Sequence, residues 1–380
     1  MYINAFTVAL LLIPALAHAQ QPISRIWLTH ADSAAKTLTV SWETDRPAPS
    51  SVTYSVDGEA QGGGTISTKE VTLHHVTIDV DLTKVKELTY QVRSGAQKSA
   101  EHTVRGYTGD ELRMVVVADM GYAKTEWTPA VRREKPHILL TAGDNVPDLH
   151  SAGRGKSPTL AFSQLIDRDP ALFATTPFMP VLGNHDREIR PRGGDKPPAE
   201  PVYDVEATAY RSFFPLPDPG WVWRLDVEPF GLRLLALDLS HVQDHGTTWQ
   251  TNHSPKVEDE QFNWYRKEME AATDVRSVVT ILNEKSSSVR GLEKGAWRKL
   301  IERGTLAVTG FGYYAERADV DGFPYFNTSV KGDGAKYPDP KAVVFASEHS
   351  YVLLTVRKGE KVRGELRNLE GKVIEGKAVK

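Results

Sequence analysis

The chain contains no cysteine among its 380 residues. Disulfide bonds and thiolate ligands are therefore excluded, and any metal ion must be held by oxygen and imidazole groups. The formal net charge is -3, so there is no overall basic field and we predict no nucleic-acid partner. After residue 20 no apolar run approaches the roughly 20 residues that cross a bilayer, and we predict no membrane span in the mature chain.

The first residues of the chain resemble an export signal. An apolar run from Ala5 to Ala17 leads into Ala17-His18-Ala19, the small-x-small pattern that signal peptidase accepts. An uncleaved anchor is the alternative, but the apolar run is shorter than the roughly 20 residues that a bilayer requires. We therefore predict a signal peptide at residues 1–19, a mature chain from Gln20, and export to the periplasm or secretion.

The next region alternates apolar and polar residues in short runs from Ile26 to about Val104. Clusters of Asp, Gly, Pro and Ser separate these runs, a pattern typical of a small antiparallel β-sandwich. Trp42 lies among alternating apolar positions, so we predict a core residue rather than a site for stacking a cofactor or sugar. The pattern predicts an all-β domain at residues 20–108.

After Glu111 the apolar runs become continuous, which is typical of strands buried on both faces. The runs are Met114–Ala118, His137–Thr141, Phe178–Leu182, Leu232–Leu237, Ser277–Leu282 and Leu306–Thr309. Helical spacing occurs between them, at residues 258–272 and 295–303. We predict a layered α/β domain at residues 112–380, to which the alternating tail from Tyr351 to Val379 adds edge strands.

Polar residues with metal-ligand chemistry follow three of these strands. The motifs are Ala118-Asp119-Met120-Gly121, Gly143-Asp144-Asn145 and Gly183-Asn184-His185-Asp186. In layered α/β folds, catalytic groups collect at the carboxyl ends of strands. A carboxylate that bridges two ions about 3.5–4 Å apart allows them to clamp a phosphoryl group and activate a hydroxide. Each motif alone is equally a cap or a turn, but the three in order predict a metallophosphoesterase-type domain.

With these motifs the chain resembles the calcineurin-like metallophosphoesterase superfamily, and most closely its purple acid phosphatase branch. That branch joins a fibronectin type III-like sandwich to the catalytic domain, and the resemblance covers nearly the whole mature chain. It implies a layered β-sandwich metallophosphoesterase domain with flanking helices, preceded by a small all-β fibronectin type III-like sandwich. It also implies a phosphate-ester small molecule or a phosphorylated ligand as the partner.

The resemblance assigns roles to the residues of the first three motifs. Asp119 and Asp144 hold the first metal ion, and Asp144 also reaches the second ion together with Asn184. His185 contacts the phosphoryl group or protonates the leaving oxygen, and we group Asp186 with it as a catalytic candidate. The implied cofactor is one or two divalent or trivalent ions, namely Mn, Mg, Fe or Zn.

The later motifs depart from that family. Pro147 stands at the position of a metal-binding tyrosine, and Asn283, Phe311 and Tyr313 stand at the positions of three ligand histidines. One interpretation is a remodelled site that still hydrolyses phosphate esters. In it, Asn283 or Glu284 offers oxygen to the second ion and Tyr313 to the first, a set suited to Mg, Mn, Ca or ferric iron.

A second interpretation is a pseudo-phosphatase that binds a ligand or partner without turnover. Two neighbouring carboxylates need a nearby cation, because like charges raise one pKa strongly, and Lys285 or Arg290 would supply that charge. A third is a structural or adhesive exported protein. We favour retained hydrolysis, because the proposed bridge and acid remain. The loop histidines His241, His245 and His253 are predicted to be solvated rather than replacement ligands.

Overall fold

The computed structural model describes residues 23, 25–61, 66–152 and 157–375. The predicted signal peptide at residues 1–19 lies outside them. The described part is a mixed α/β structure that is rich in sheet, with three β-sheets and flanking helices. Among the described residues, we find no helix with the length and apolar character needed to cross a membrane.

The N-terminal sheet is entirely antiparallel. Its strands are β1 Ile26–Thr29, β2 Leu38–Val56, β3 Glu59–Gln61, β4 Ile66–Ile78, β5 Glu87–Ser94, β6 Gln97–Lys98 and β7 His102–Arg105. The two runs at residues 38–42 and 52–56 belong to one long strand, β2. Pro47 and Pro49 lack the N–H group that a strand ladder uses, and the register with β4 shifts between Glu43 and Ser50. Trp42 is fully buried, as predicted.

The second sheet has the strand order β10-β9-β8-β18-β19. Its strands are β8 Glu111–Val117, β9 Ile138–Thr141, β10 Phe178–Met179, β18 Ser350–Arg357 and β19 Arg363–Asn368. Strands β8, β9 and β10 are parallel. The C-terminal tail was predicted to add only edge strands, and this is wrong for β18, which lies between β8 and β19. Tyr351 to Leu354 are all buried, so β18 has the character of an interior strand.

The third sheet has the order β11-β12-β13-β14-β16-β15-β17. Its strands are β11 Trp223–Val227, β12 Leu232–Leu237, β13 Ser277–Leu282, β14 Leu306–Thr309, β15 Ala315–Val320, β16 Phe323–Asn327 and β17 Ala342–Ala346. Strands β12, β13, β14 and β16 are parallel. Every residue of β12, β13 and β14 is buried, as expected for continuous apolar runs covered on both faces.

The helices are short and lie between the strands. They are α1 Thr128–Glu134, α2 Leu160–Asp167, α3 Pro170–Thr175, α4 Thr208–Phe213, α5 Glu260–Glu270, α6 Ser286–Gly291 and α7 Ala296–Ile301. In α5, Phe262, Tyr265 and Met269 are buried, which confirms the helical spacing. Two 3-10 turns, Met120–Tyr122 and His185–Arg187, overlap the first and third strand-end motifs.

The N-terminal sheet packs directly on the α/β region. Trp27 stacks on Phe213 with ring centroids 4.1 Å apart, and the Tyr90 hydroxyl donates a hydrogen bond to the Ala174 carbonyl at 2.7 Å. One continuous hydrophobic core therefore includes residues of both regions. The division of the chain near residues 108–112 stays a prediction.

The carboxyl ends of the parallel strands of both α/β sheets meet at one edge. The Val330 amide, after β16, donates to the Ala118 carbonyl, after β8, at 3.0 Å. A Cβ atom on Gly310, after β14, would lie 2.5 Å from the Cβ of Ala118, so the approach requires glycine. The loops that carry the predicted site residues therefore share one region.

Candidate active site

Asp119 and Asp144 lie in two loops that are joined through the backbone. The Asp119 amide donates to the Gly143 carbonyl, and the Gly121 amide donates to the Asp144 carbonyl, both at 3.2 Å. Both aspartates are buried and have left-handed backbones, with φ values of 60° and 53°. Such conformations cost free energy and are typical of functional sites whose surroundings hold them.

The carboxyl group of Asp119 has one unsatisfied oxygen. Ser329 hydrogen-bonds to this side chain, whereas Oδ2 is buried and has no hydrogen-bond partner. Burial raises the pKa of Asp119 well above its usual value, and the charge of Asp144 raises it further. An unpartnered carboxylate oxygen is costly to bury, so this atom marks a position for a cation.

The third loop closes against Asp144. The His185 amide donates to Asp144 Oδ1 at 3.3 Å, and a Cβ atom on Gly183 would lie 2.1 Å from that oxygen. Only glycine permits this approach. Asn184 is buried and hydrogen-bonds to Tyr203. The structure thus brings together the loops that carry Asp119, Asp144 and Asn184.

His185 is the positively charged group of this loop. Its Nδ1 atom lies 2.8 Å from Glu188 Oε2 and 2.8 Å from the Tyr122 hydroxyl. Burial lowers the pKa of His185, but the charges of Asp144 and Glu188 outweigh that effect and raise the pKa to about 9. These surroundings favour the imidazolium form, the form that binds phosphoryl oxygen or donates a proton.

Asp186 hydrogen-bonds to the loop that carries Asp144 and to the start of its own loop. Its fully buried carboxylate accepts hydrogen bonds from the Asn145 amide at 2.9 Å, the Asn145 side chain at 2.8 Å and the Gly183 amide at 2.7 Å. Burial and the charge of Asp144 raise the pKa of Asp186 to about 7. These contacts give Asp186 a means to position Asp144 and Asn184.

Asn283 occupies the junction between the two α/β sheets. Its Nδ2 donates to the Ala142 carbonyl at 2.8 Å and to the Gly310 carbonyl at 2.7 Å. Its Oδ1 accepts a hydrogen bond from the Ser240 hydroxyl at 3.2 Å. Both amide hydrogens are therefore donated to backbone carbonyls. The side chain links the loops that follow β9, β12 and β14.

The residues that follow Asn283 in the chain make contacts with nearby loop residues. Glu284 accepts hydrogen bonds from the amides of Val242 at 3.2 Å and Lys285 at 2.8 Å, and burial raises its pKa to about 7. The Lys285 ammonium lies 5.5 Å from the centroid of the Tyr337 ring. Arg290 forms an ion pair with Asp339 at 2.8 Å.

Aromatic rings line the remaining side of the site. Tyr313 contacts the ring of Tyr122, with centroids 5.9 Å apart, and the Lys331 ammonium lies 3.7 Å from the Tyr313 centroid. Burial and the charges of Asp144 and Asp119 raise the pKa of Tyr313, so its phenol is neutral. Phe311 packs on Tyr337 at 5.8 Å.

The loop histidines occupy three different environments. His241 is close enough for the charge of Asp144 to act on its pKa, which burial lowers. His253 stacks on Trp221 at 3.7 Å, and its Nδ1 lies 2.7 Å from Asp238. The Nδ1 atom of His245 is buried without a partner. The sequence motifs missed four further residues near the carboxylates, namely Tyr122, Glu188, Ser329 and Lys331, which belong to no recognised pattern.

The carboxylates of Asp119 and Asp144 and the amide group of Asn184 are the candidate oxygen donors of this site. Within the residues that the structure describes, no group of three or more His, Asp or Glu side chains is arranged to hold an ion. Two carboxylates, with the amide oxygen of Asn184, suit a hard ion such as Mg²⁺, which takes one or two carboxylates and completes its shell with water and phosphate. The unpartnered Oδ2 of Asp119 agrees with such an ion.

Residues 112–351 match the family model of the calcineurin-like phosphoesterases. Among solved structures, the purple acid phosphatase PPD1 from yellow lupin (Lupinus luteus) seeds is 14% identical with a TM-score of 0.68, and the match covers 93% of this chain and 73% of that one. PhoD is 11% identical with a TM-score of 0.64, over 95% and 94% of the two chains. At these identities the likeness concerns the fold. No curated protein sequence matches significantly.

Proposed function

The chain belongs to the calcineurin-like phosphoesterase family, and we propose that it is an exported hydrolase of phosphate esters that uses one oxygen-bound divalent ion. The observation that carries the proposal is the buried, unpartnered Oδ2 of Asp119 in a loop joined to that of Asp144. Calcineurin-like phosphoesterases use divalent ions, and the family suggests phosphate-ester substrates. The signal-like residues 1–19 support export.

We also propose that the N-terminal β region is a fibronectin type III-like sandwich. Its support is the all-antiparallel pairing of β1 to β7 and the buried Trp42, which stacks on His74 with centroids 4.7 Å apart. The chain order of an all-β region followed by the α/β region agrees with the resemblance.

In the proposed site, Asp119, Asp144 and Asn184 hold the ion. When bound there, a divalent ion supplies Lewis acidity and lowers the pKa of water. The protonated His185 then binds a phosphoryl oxygen or donates its proton to the leaving oxygen. Glu188 and Tyr122 orient the imidazole through their contacts with it.

The proposal gives no ligand role to the later motifs. The hydrogen bonds of Asn283 and Glu284 are directed to backbone groups of adjacent loops, and a neutral Tyr313 phenol is a weak ligand. Asp186 is assigned to positioning, because its contacts join the two ligand loops.

A second candidate is a protein that binds phosphate esters without turnover. Asn283 favours it, because this side chain hydrogen-bonds to the backbone of two adjacent loops. Asn283 stands at a position where the resemblance implies a histidine ligand of a metal ion, so a two-ion clamp would lack that ligand. Loss of that clamp reduces stabilisation of the transition state more than binding of the ground state.

The experiment that tests the proposal compares wild type with Asp144→Asn, and with Asp45→Asn as an exposed carboxylate control. Binding of Mg²⁺ and Mn²⁺ is measured by calorimetry and hydrolysis with p-nitrophenyl phosphate. We expect one ion per wild-type chain, and a loss of hydrolysis in Asp144→Asn of about 100-fold, which corresponds to ~2.7 kcal/mol of transition-state stabilisation.

Two results would contradict the proposal in different ways. A wild type that binds no ion, and whose hydrolysis equals that of Asp144→Asn, has no metal-dependent activity. A wild type that binds the ion and the ester but does not release phosphate is the non-hydrolysing binder of the second candidate.

A further inference from the structure

We propose that the ammonium group of Lys331 binds the phosphoryl group beside Asp119 and supplies a fixed positive charge in place of a second metal ion. The nature of the ligand rests on the proposed function, since a phosphate ester is the substrate that the family suggests. The position of the lysine rests on the geometry of its loop alone.

The backbone of Lys331 is anchored next to Asp119. The preceding residue, Val330, donates its amide to the Ala118 carbonyl at 3.0 Å. The Lys331 amide donates to the Ser329 hydroxyl at 3.1 Å, and Ser329 also hydrogen-bonds to the Asp119 side chain. Three consecutive residues of this loop are therefore fixed against the strand end that carries the carboxylate.

The side chain of Lys331 is held over an aromatic ring. Its ammonium lies 3.7 Å from the centroid of Tyr313, in the range of a cation–π contact. The Tyr313 ring contacts Tyr122, and the Tyr122 hydroxyl contacts His185. Lys331 and His185 are thus the cationic ends of one chain of contacts along the wall of the site.

The ammonium retains hydrogen-bonding capacity for a ligand. Its ionic partner is the exposed carboxylate of Asp333 at 2.9 Å, and an ammonium group has three donors. The Lys331 side chain itself is only 21% exposed, so it differs from a freely solvated lysine. A lysine in this setting acts as a point charge for phosphate.

The negative charge of the two carboxylates and the bound ester exceeds the positive charge of one divalent ion, so a further cation is needed beside the ester. A divalent ion neutralises the two carboxylates of Asp119 and Asp144, whereas a phosphate monoester brings about 1.5–2 negative charges of its own. His185 offers one positive charge, which it shares with Glu188. Lys331 is a further cation whose charge acts directly on Asp119, and because its partner Asp333 is exposed to solvent, it adds positive charge for the ester.

Lys331, rather than Lys285 or Arg290, is then the cation near the two carboxylates that the pseudo-phosphatase interpretation called for. The Lys285 ammonium lies over Tyr337, and its charge acts on Glu284 and Glu316. Glu284 lies in the loop after β13 and Glu316 lies in β15, whereas Asp119 follows β8.

The test measures binding of inorganic phosphate by calorimetry, with EDTA and with Mg²⁺, to the full chain and four variants, of which Lys285→Met tests the alternative lysine. Lys331→Met removes the charge, Lys331→Arg retains it, and Lys358→Met removes a lysine that also lies over a ring, that of Phe230, at 5.7 Å. We expect Lys331→Met to weaken phosphate binding about 10-fold or more, the scale of a charge-assisted hydrogen bond. Lys331→Arg should recover most of the affinity, and Lys358→Met should change it less than about twofold.

The inference is overturned if Lys331→Met binds phosphate as wild type does, if wild type shows no phosphate binding, or if wild type binds two ions per chain. It is also overturned if Lys285→Met, rather than Lys331→Met, loses the affinity. Circular dichroism and thermal unfolding report whether each variant is folded. Ion binding and ester hydrolysis by wild type test the proposed function separately, so one of the two ideas can fail while the other holds.

Discussion

The two halves of the candidate site use their polar side chains in opposite ways. In the first half, the loops after β8, β9 and β10, Asp119 keeps a buried oxygen without a partner. In the second half, the loops after β13 and β14, Asn283 donates both amide hydrogens to backbone carbonyls. The first half therefore carries a polar atom free for a ligand, and the second half contributes hydrogen bonds to the fold.

This difference has a consequence for stability. A buried polar atom without a partner costs free energy, and such atoms persist where function requires them. A satisfied buried amide stabilises the folded chain relative to the same site with one partner removed. Substitution of the unpartnered Asp119 and substitution of the satisfied Asn283 should therefore change the free energy of unfolding with opposite signs.

The largest expected change in the free energy of unfolding concerns a buried ion pair next to the first half of the site. Arg187, two residues after His185, forms a fully buried ion pair with Asp238 at 2.7 Å. Arg187→Met leaves that carboxylate buried beside His253 alone. We expect a loss of about 3–5 kcal/mol in the free energy of unfolding, the usual cost of breaking a buried pair from one side, measured by urea denaturation.

Arg190→Met is the matched control for Arg187→Met, because Arg190 pairs with Glu200 at the surface, with 49% and 69% of the side chains exposed. Its expected effect is below about 0.5 kcal/mol. Equal losses in the two variants would show that the buried pair does not support the His185 loop.

The next effect concerns the second half itself. Asn283→Ala removes two hydrogen bonds to carbonyls and one from Ser240. We expect a loss of about 2–3 kcal/mol, because the buried groups left behind lack partners. Asn263→Ala is the control, because Asn263 is only partly buried and its side chain also forms hydrogen bonds, with Glu258 and Arg266. If Asn283→Ala is as stable as wild type, the comparison between the two halves is wrong.

The sequence predicted the parts of the fold that depend on local patterns. Continuous apolar runs identified β8, β9, β12, β13 and β14, because strands covered on both faces need apolar residues at every position. The three motifs identified the first-half loops, because each motif follows its strand directly. Glycines at 143 and 183 sit where a side chain would collide, with Asn283 and Asp144 respectively.

The rest depends on contacts between distant segments, which no local pattern records. Lys331 follows β16 and reaches Tyr313 and Asp119 only because β14 and β16 pair in parallel. The hydrogen bonds of Asn283 cross from one sheet to the other. The interior place of β18 likewise requires its pairing with β8 from the opposite end of the α/β region.

The smallest expected effect has the opposite sign. Asp119→Asn removes a buried ionisable group whose oxygen lacks a partner, and Asn retains an oxygen for the hydrogen bond with Ser329. In EDTA at pH 7.5 we expect the free energy of unfolding to rise by about 0.5–2 kcal/mol, the usual gain from a stabilising substitution. Asp45→Asn, an exposed substitution of the same kind, should change it by less than about 0.5 kcal/mol.

The pH dependence separates this effect from a general stabilisation. Burial raises the pKa of Asp119 in the folded state, so above its usual pKa the unfolded chain releases the proton while the folded chain still holds it. Ionisation then favours the unfolded chain, and wild type loses stability as the pH rises toward the folded-state pKa. The gain in Asp119→Asn should therefore be small near pH 4 and larger at pH 7.5. Because the ion neutralises the same charge, saturating Mg²⁺ should reverse the order and make wild type the more stable protein.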